Sequence, residues 1–395
     1  MSQFKQISDK NAKVLYLETS ALGQSLLTTP KLNKGSAFSE LERQQFHLRG
    51  KLPYNIEDLS QQVLRCYQQF LKKDNNLEKH LYLRSLHDTN ETLFYKLVSQ
   101  HLTEMLPVLY TPTVGKAVEQ FSQEFQRPRG LYIAYPDRDH IEEIIENRFN
   151  SEVDIIVMTD GAGVLGIGDQ GIGGMDICIV KSMVYVLCGG VNPSRLLPIQ
   201  IDVGTDNEQL LNDPMYLGWR HPRISGKEYD DMVERVVLAI QRKLPQAYLH
   251  WEDFGRENAR RNLERYHQQM CTFNDDMQGT GAVTLVALLS AITRTKVPLT
   301  EQRIVIVGAG TAGTGIADQL CAAMRREGLS QQEALSRFYL VGRHGLLHQA
   351  MPELTAFQKP YARSDLAETG TNLSLHEVVK RFKPSVLIGC SGQGG

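Results

Sequence analysis

The sequence predicts an α/β protein in three parts: a helical N-terminal region, a central α/β domain, and a Rossmann-like, doubly wound domain. Three observations carry this. Apolar residues recur at helical spacing through the first hundred residues. Short apolar strands alternate with helices from about residue 110 onward. A strand, a GxGxxG turn and a helix follow one another near residue 308. The divisions fall at 1–110, 111–276 and 277–395.

In the first part, residues 56–71 and 90–106 read as helices. Leu59, Val63, Tyr67 and Phe70 fall on one helical face, as a layer packed on one side requires. The stretch LNKGSAF at 32–38 reads as a loop, with Ser39 as the cap of the helix after it. In the second part, 154–158, 197–203 and 247–251 read as strands. The glycine-dense stretch 161–174 leads into an apolar run at 177–187 long enough for a buried helix, and 232–244 is an amphipathic helix. In the third part, a long apolar helix at 282–292 precedes a strand at 303–307.

The bulk composition narrows the function classes. Apolar residues make up 42% and charged residues 22%, an ordinary globular balance that argues against extensive disorder. Lys and Arg number 43 against 45 Asp and Glu, a net charge of −2, so no electrostatic case for nucleic acid or a membrane surface arises. No signal peptide is visible and no uncharged stretch reaches membrane-spanning length, which makes a cytoplasmic location the expectation. Cys66, Cys178, Cys188, Cys271, Cys321 and Cys390 form no CxxC pair and read mostly as buried, reduced thiols.

The glycine turn is the most specific local signal. The strand at 304–307 runs into Gly308, Gly310, Thr311, Ala312 and Gly313, with Ile316, Ala317, Leu320 and Met324 on one face of the next helix. The first glycine permits the tight turn, the second lets a pyrophosphate approach the backbone, and the third allows close helix–strand packing. The helix N-terminus then faces the phosphates. At the end of the second strand, 338–341, an NAD site usually places an acid for the ribose 2′-hydroxyl. Here that acid is absent and Arg343 stands nearby, either to receive a 2′-phosphate or simply as an exposed strand-end residue.

Two acidic pairs sit at strand ends: Glu252 with Asp253, and Asp275 with Asp276. Adjacent carboxylates repel unless a cation or strong donors compensate. Strand ends in an α/β sheet converge on the ligand crevice, where such oxygens would suit Mg²⁺ or Mn²⁺ better than zinc. The other reading is a set of solvated or helix-capping acids. Lys181 interrupts the apolar helix at 177–187. A buried ammonium there suits a general base, and a lysine whose head reaches water is the alternative. Tyr110 sits at a turn, where its phenol either faces a cleft or packs.

Taken together, these motifs resemble the malic enzymes over essentially the whole chain. The matching stretches are LNKGSAF at 32–38, YTPTVG at 110–115, RPRGLY at 127–132 and LGIGDQGIGGM at 165–175. They continue with IDVGTDN at 201–207, EDF at 252–254, FNDDMQGT at 273–280 and GAGTAGTGIA at 308–317. The resemblance implies that L-malate is oxidatively decarboxylated to pyruvate with NAD, or NADP, and a divalent metal, Mg²⁺ or Mn²⁺, in a homodimer or homotetramer. It implies that Glu252, Asp253 and Asp276 hold the metal. Lys181 would take the malate hydroxyl proton with Asp275 beside it, and Tyr110 would protonate the enol.

Two positions depart from the family pattern. Gly163 stands where the family's DGERILG carries a substrate-binding arginine, and Asp176 stands where glycine is usual. Together with HWEDFG and FYLV they are similar to malolactic enzymes, which convert malate to lactate with NAD retained, whereas YTPTVG is closer to the oxidative enzymes. The end of the sequence carries a further expectation. Residues 385–390 read as a strand buried on both faces, followed by a glycine turn at 391–395. That predicts an incomplete Rossmann-like domain lacking downstream asparagines of the family, in a fragment that does not turn over malate although a longer parent does.

Overall fold

A computed structural model of the chain describes residues 4–8, 14–164, 166–365 and 372–391. Leu165, in the glycine-dense stretch, and residues 392–395 of the expected terminal turn lie outside the described residues. The chain forms two compact units, Met1–Ala247 and Tyr248–Gly395.

The first unit opens with an antiparallel hairpin, β1 (Phe4–Ser8) and β2 (Val14–Thr19). Helices α1 (Gln24–Leu27), α2 (Glu40–Gln45), α3 (Leu59–Leu71) and α4 (Asn76–Thr89) follow, and then α5 (Glu91–Gln100), α6 (Leu102–Leu109), α7 (Thr113–Glu119) and α8 (Phe121–Glu124). Ser39 caps α2 as expected, through a reciprocal bond pattern with Glu42. The helix expected at 56–71 starts later, because Asp58 caps it and Gln61 closes the capping box. The helix expected at 90–106 is two: α5 ends at His101, whose φ of −121° breaks the ladder before α6. Helix α4 falls inside the expected helical region, between the two spans named there.

The remainder of this unit is α/β: β3 (Leu131–Ala134), α9 (Ile141–Glu146), β4 (Ile155–Thr159), α10 (Gly174–Gly189), β5 (Leu196–Asp202), α11 (Glu208–Asn212) and α12 (Gly226–Lys243). β5 lies between β3 and β4, parallel to both, so the expected parallel layer forms. Helix α10 is buried continuously from Gly174 to Met183 because the layer of α3 to α7 covers it, with Phe70, Phe94, Leu97, Met105 and Cys178 in one core. By length and composition alone the stretch Gly171–Gly189 would cross a membrane, yet 67% of that window is buried in this core.

The second unit begins with β6 (Tyr248–Trp251), α13 (Arg256–Tyr266) and β7 (Thr272–Asn274), the two strands being parallel. A π-turn at Asp275–Gly279 leads into α14 (Thr280–Thr295). There follow β8 (Ile304–Val307), α15 (Thr311–Arg326), α16 (Gln331–Ser336), β9 (Phe338–Gly342), β10 (Gly345–Leu346), α17 (Leu375–Phe382) and β11 (Val386–Gly389). The strand order is β10-β9-β8-β11, with β8 parallel to both its neighbours and β10 antiparallel. Strands β9, β8 and β11, parallel to one another with helices between them in the chain, make this a Rossmann-like α/β domain.

The strand apolar on both faces, β11, is an edge strand among the described residues and leaves Leu387 59% exposed. One expectation is corrected here. The thiols divide evenly: Cys66, Cys178 and Cys321 are buried, whereas Cys188 and Cys271 are exposed and Cys390 is half-buried. Burial follows position, since Cys188 lies in the last turn of α10 beyond its covered stretch and Cys271 just before β7.

Candidate active site

In the first unit, Tyr110 caps the C-terminus of α6. Its backbone N–H donates to Leu106 O at 2.8 Å, and its carbonyl accepts from Val114 N at 2.9 Å. The Thr113 hydroxyl donates to Pro107 O, closing the turn from the other side. Lys181 lies midway along α10, 9% exposed, and its Nζ is 4.9 Å from the centroid of the Tyr110 ring. A cation over an aromatic face is attracted by the ring quadrupole. The two residues suggested for acid–base work, 71 positions apart in the chain, are therefore neighbours.

The loop between β4 and α10 contains Gly163, the position lacking the family's arginine. Its base is a buried polar network. Arg223 donates from Nε (2.6 Å) and Nη2 (2.7 Å) to the two oxygens of Asp169, which also accepts from Thr205 Oγ1 and Asp206 N. Burial works to raise the Asp169 carboxyl, but the Arg223 bonds outweigh it and hold it below the ordinary value. Asp160 has no such fork. Burial pushes its carboxyl up, against the charge of Arg223 and a 2.7 Å bond from the Tyr229 hydroxyl. Sequence reasoning did not single out this network. The other departure, Asp176, pairs with Arg84 of α4 at 2.6 Å.

In the second unit, the acidic pairs sit at the ends of β6 and β7, as expected. Glu252, Asp253 and Asp276 are buried, at 3%, 4% and 8% exposure. Asp253 adopts φ 54°, a left-handed conformation that is costly for a residue with a Cβ and is concentrated at functional sites. Its N–H donates to Asp276 Oδ2 at 2.9 Å, which joins the two pairs directly. The turn itself is fixed by Asn274, whose side chain accepts from Met277 N while its N–H donates to Gln278.

Asp275 joins the cluster too. Ligand atoms of His250, Glu252 and Asp275 all lie within 4.8 Å of one another. The His250 Nε2–H donates to Glu252 Oε2. Sequence reasoning missed His250, although the signal was present: residues two apart on a strand share a face. The ligand atoms that converge are thus those of His250, Glu252 and Asp275, whereas of the expected set Asp276 meets Asp253 through its backbone N–H.

The dinucleotide turn follows the same logic. Gly308 has φ 108°, and a Cβ there would meet the backbone of Cys390 at 2.8 Å. Gly310 caps α15, and Thr311, Ala312 and Gly313 form its first turn. A Cβ on Gly315 would lie 2.7 Å from Met277 Cα, so α15 packs directly on the turn that carries Asp275 and Asp276. A cavity of about 910 Å³ opens at the ends of β8 and β9, lined by Gly308, Gly310, Arg343, His344 and His348 among others. Gly342 closes β9 without an acidic side chain, and Arg343 is exposed at the cavity rim.

A strand–glycine turn–helix beside a cluster of buried carboxylates defines a dinucleotide-binding α/β protein. Comparison with known proteins carries the identification further. Residues 87–267 match the malic enzyme N-terminal domain, and 277–395 match the malic enzyme NAD binding domain. The NAD-dependent malic enzyme of Aeromonas hydrophila is 50% identical over 377 residues, 94% of this chain and 67% of its own length. That of Photorhabdus laumondii is 48% identical, over 99% of this chain and 70% of its own. A crystal structure of an Entamoeba histolytica malic enzyme aligns at 21% identity over 88% of this chain and 61% of its own, with a TM-score of 0.46. The chain belongs to the malic enzyme family, and its second unit carries that family's NAD-binding domain.

Proposed function

We propose that the protein oxidatively decarboxylates L-malate to pyruvate and carbon dioxide, with NAD as oxidant and Mg²⁺ or Mn²⁺ as the metal. The observation that carries this reading is the buried Lys181 amino group against the Tyr110 ring, an acid–base pair of the kind the reaction needs once the amine is neutral. Lys181 removes the malate hydroxyl proton, with Asp275 assisting. Tyr110 later delivers a proton to the carbon of the enol left by decarboxylation. Glu252, Asp253 and Asp276 hold the metal, and His250 orients Glu252 through its hydrogen bond. NAD held at the glycine turn would supply the hydride acceptor, and a divalent metal held by these carboxylates would supply the Lewis-acid chemistry that decarboxylation needs.

Gly308, Gly310, Thr311, Ala312 and Gly313 receive the pyrophosphate, and the absence of an acid at Gly342, with Arg343 beside it, leaves NADP admissible. The parts 1–110, 111–276 and 277–395 serve as helical, substrate-and-metal and NAD(P) segments of a cytoplasmic homodimer or homotetramer. A second reading, direct conversion of malate to lactate with NAD retained, is favoured by Gly163 and Asp176. Incubation with malate, NAD and Mn²⁺, measuring pyruvate, lactate and NADH together, separates the two. The oxidative reading predicts pyruvate and NADH in equal amounts, and lactate without NADH overturns it.

A further inference from the structure

The most telling feature of the first unit beyond the Lys181–Tyr110 pair is the helix behind it. His80 and Arg84 of α4 are one turn apart and share a face, and each grips a different piece of backbone or helix. His80 is fully buried, and its Nδ1 lies 3.0 Å from Val108 O. A carbonyl only accepts, so Nδ1 carries the hydrogen and the proton is absent from Nε2, which is buried without a hydrogen-bond partner. Val108 stands two residues before Tyr110 at the end of α6. Arg84 Nη1 donates to Asp176 Oδ1 at 2.6 Å in the first turn of α10, five residues before Lys181.

We propose that His80 and the Arg84–Asp176 pair are positioning residues that fix Tyr110 and Lys181 against each other. The inference rests on the proposed roles of those two residues. Helix α4 is thus bonded to both carriers of the acid–base pair, to the turn holding Tyr110 and to the helix holding Lys181. A small cavity of about 40 Å³ lies among these groups, lined by His80, Arg84, Tyr132 and Asp176. The charges facing His80 are Arg84 on its own helix and Asp176 on α10. Burial, with Arg84, holds its imidazole below its ordinary value, so the neutral donor form persists at neutral pH. Asp176, where the family usually has glycine, supplies the anion that pairs with a largely buried Arg84.

Three variants of the intact protein test this: His80→Phe, which removes the donor, His80→Asn, whose amide can replace it, and Arg84→Met combined with Asp176→Asn, which removes both charges together. Two quantities are measured. One is kcat and KM for malate. The other is the rate at which Lys181 is acylated by acetic anhydride relative to the exposed Lys227, mapped by peptide mass spectrometry. In His80→Phe and the double variant, kcat should fall about tenfold to a hundredfold with KM for malate within about twofold, the scale of a small misplacement of reacting groups. Lys181 acylation should rise several-fold, and His80→Asn should restore both. Unchanged kcat and acylation in either folded variant overturns the proposal, as does an Asn variant as impaired as Phe. If His80→Phe does not fold, the double variant decides. If the parent protein shows no malate turnover, the functional reading fails, and Lys181 acylation alone judges the positioning.

Discussion

The Lys181 Nζ rests 4.9 Å from the centre of the Tyr110 ring, within a helical layer that leaves Lys181 only 9% exposed. Lys181→Ala and Tyr110→Phe should each lower kcat by roughly 10²–10⁴-fold, the usual share of a positioned acid or base. Thermal melts should stay close to wild type for Tyr110→Phe. Near-normal turnover in either variant would remove that residue from the chemistry.

For the metal, Glu252→Gln, Asp253→Asn and Asp276→Asn should each weaken Mn²⁺ binding, read by titration calorimetry or by the loss of the free-ion resonance signal. A hard cation depends on anionic oxygens, and each substitution removes one. His250→Ala should weaken binding by roughly 10–100-fold, as loss of a residue that orients a ligand does. Retention of Mn²⁺ affinity in all three carboxylate variants would move the metal site elsewhere.

How far the sequence revealed these arrangements depended on the range of the interaction. The glycine turn, the acidic strand ends and the core helix α10 were legible because each is a local pattern: a turn requirement, a strand terminus, a continuous apolar run. The span of helix α4 was not, because its buried face is His80, Leu83 and His87, which carries almost no apolar period. Arg84 and Asp176 are 92 positions apart, and nothing local joins them. The lone strand histidine, His250, was legible in principle through its two-residue spacing from Glu252. Edge placement of β11 depends on what lies beside it in the sheet, which an apolar run cannot encode.

Cofactor choice turns on the end of β9. With Gly342 in place of an acid and Arg343 exposed on the cavity rim, Arg343→Ala should raise KM for NADP and leave that for NAD nearly unchanged. Steady-state kinetics with both cofactors measures this directly. Equal effects on the two would make Arg343 an ordinary surface residue.

The Arg223–Asp169 fork should be visible in stability against pH. The Asp169 carboxyl is held below its ordinary value, so it binds fewer protons in the folded chain than in the unfolded one. Its stabilisation is therefore present above an unfolded value of about 3.9 and is lost as pH falls through the lower folded value. Asp169→Ala should cost about 2–3 kcal/mol at pH 7, somewhat below the range for stripping one partner from a fully buried pair, because this one is partly exposed. That deficit should shrink in denaturant melts as pH falls through the lowered folded value. A deficit independent of pH would assign the loss to packing.

Malate, NAD and Mn²⁺ are incubated with the purified full-length protein, and pyruvate, lactate and NADH are quantified in the same sample. Equal amounts of pyruvate and NADH, with no lactate, abolished by a strong chelator and by Lys181→Ala, are predicted. Lactate without NADH, or turnover indifferent to the chelator, would contradict it.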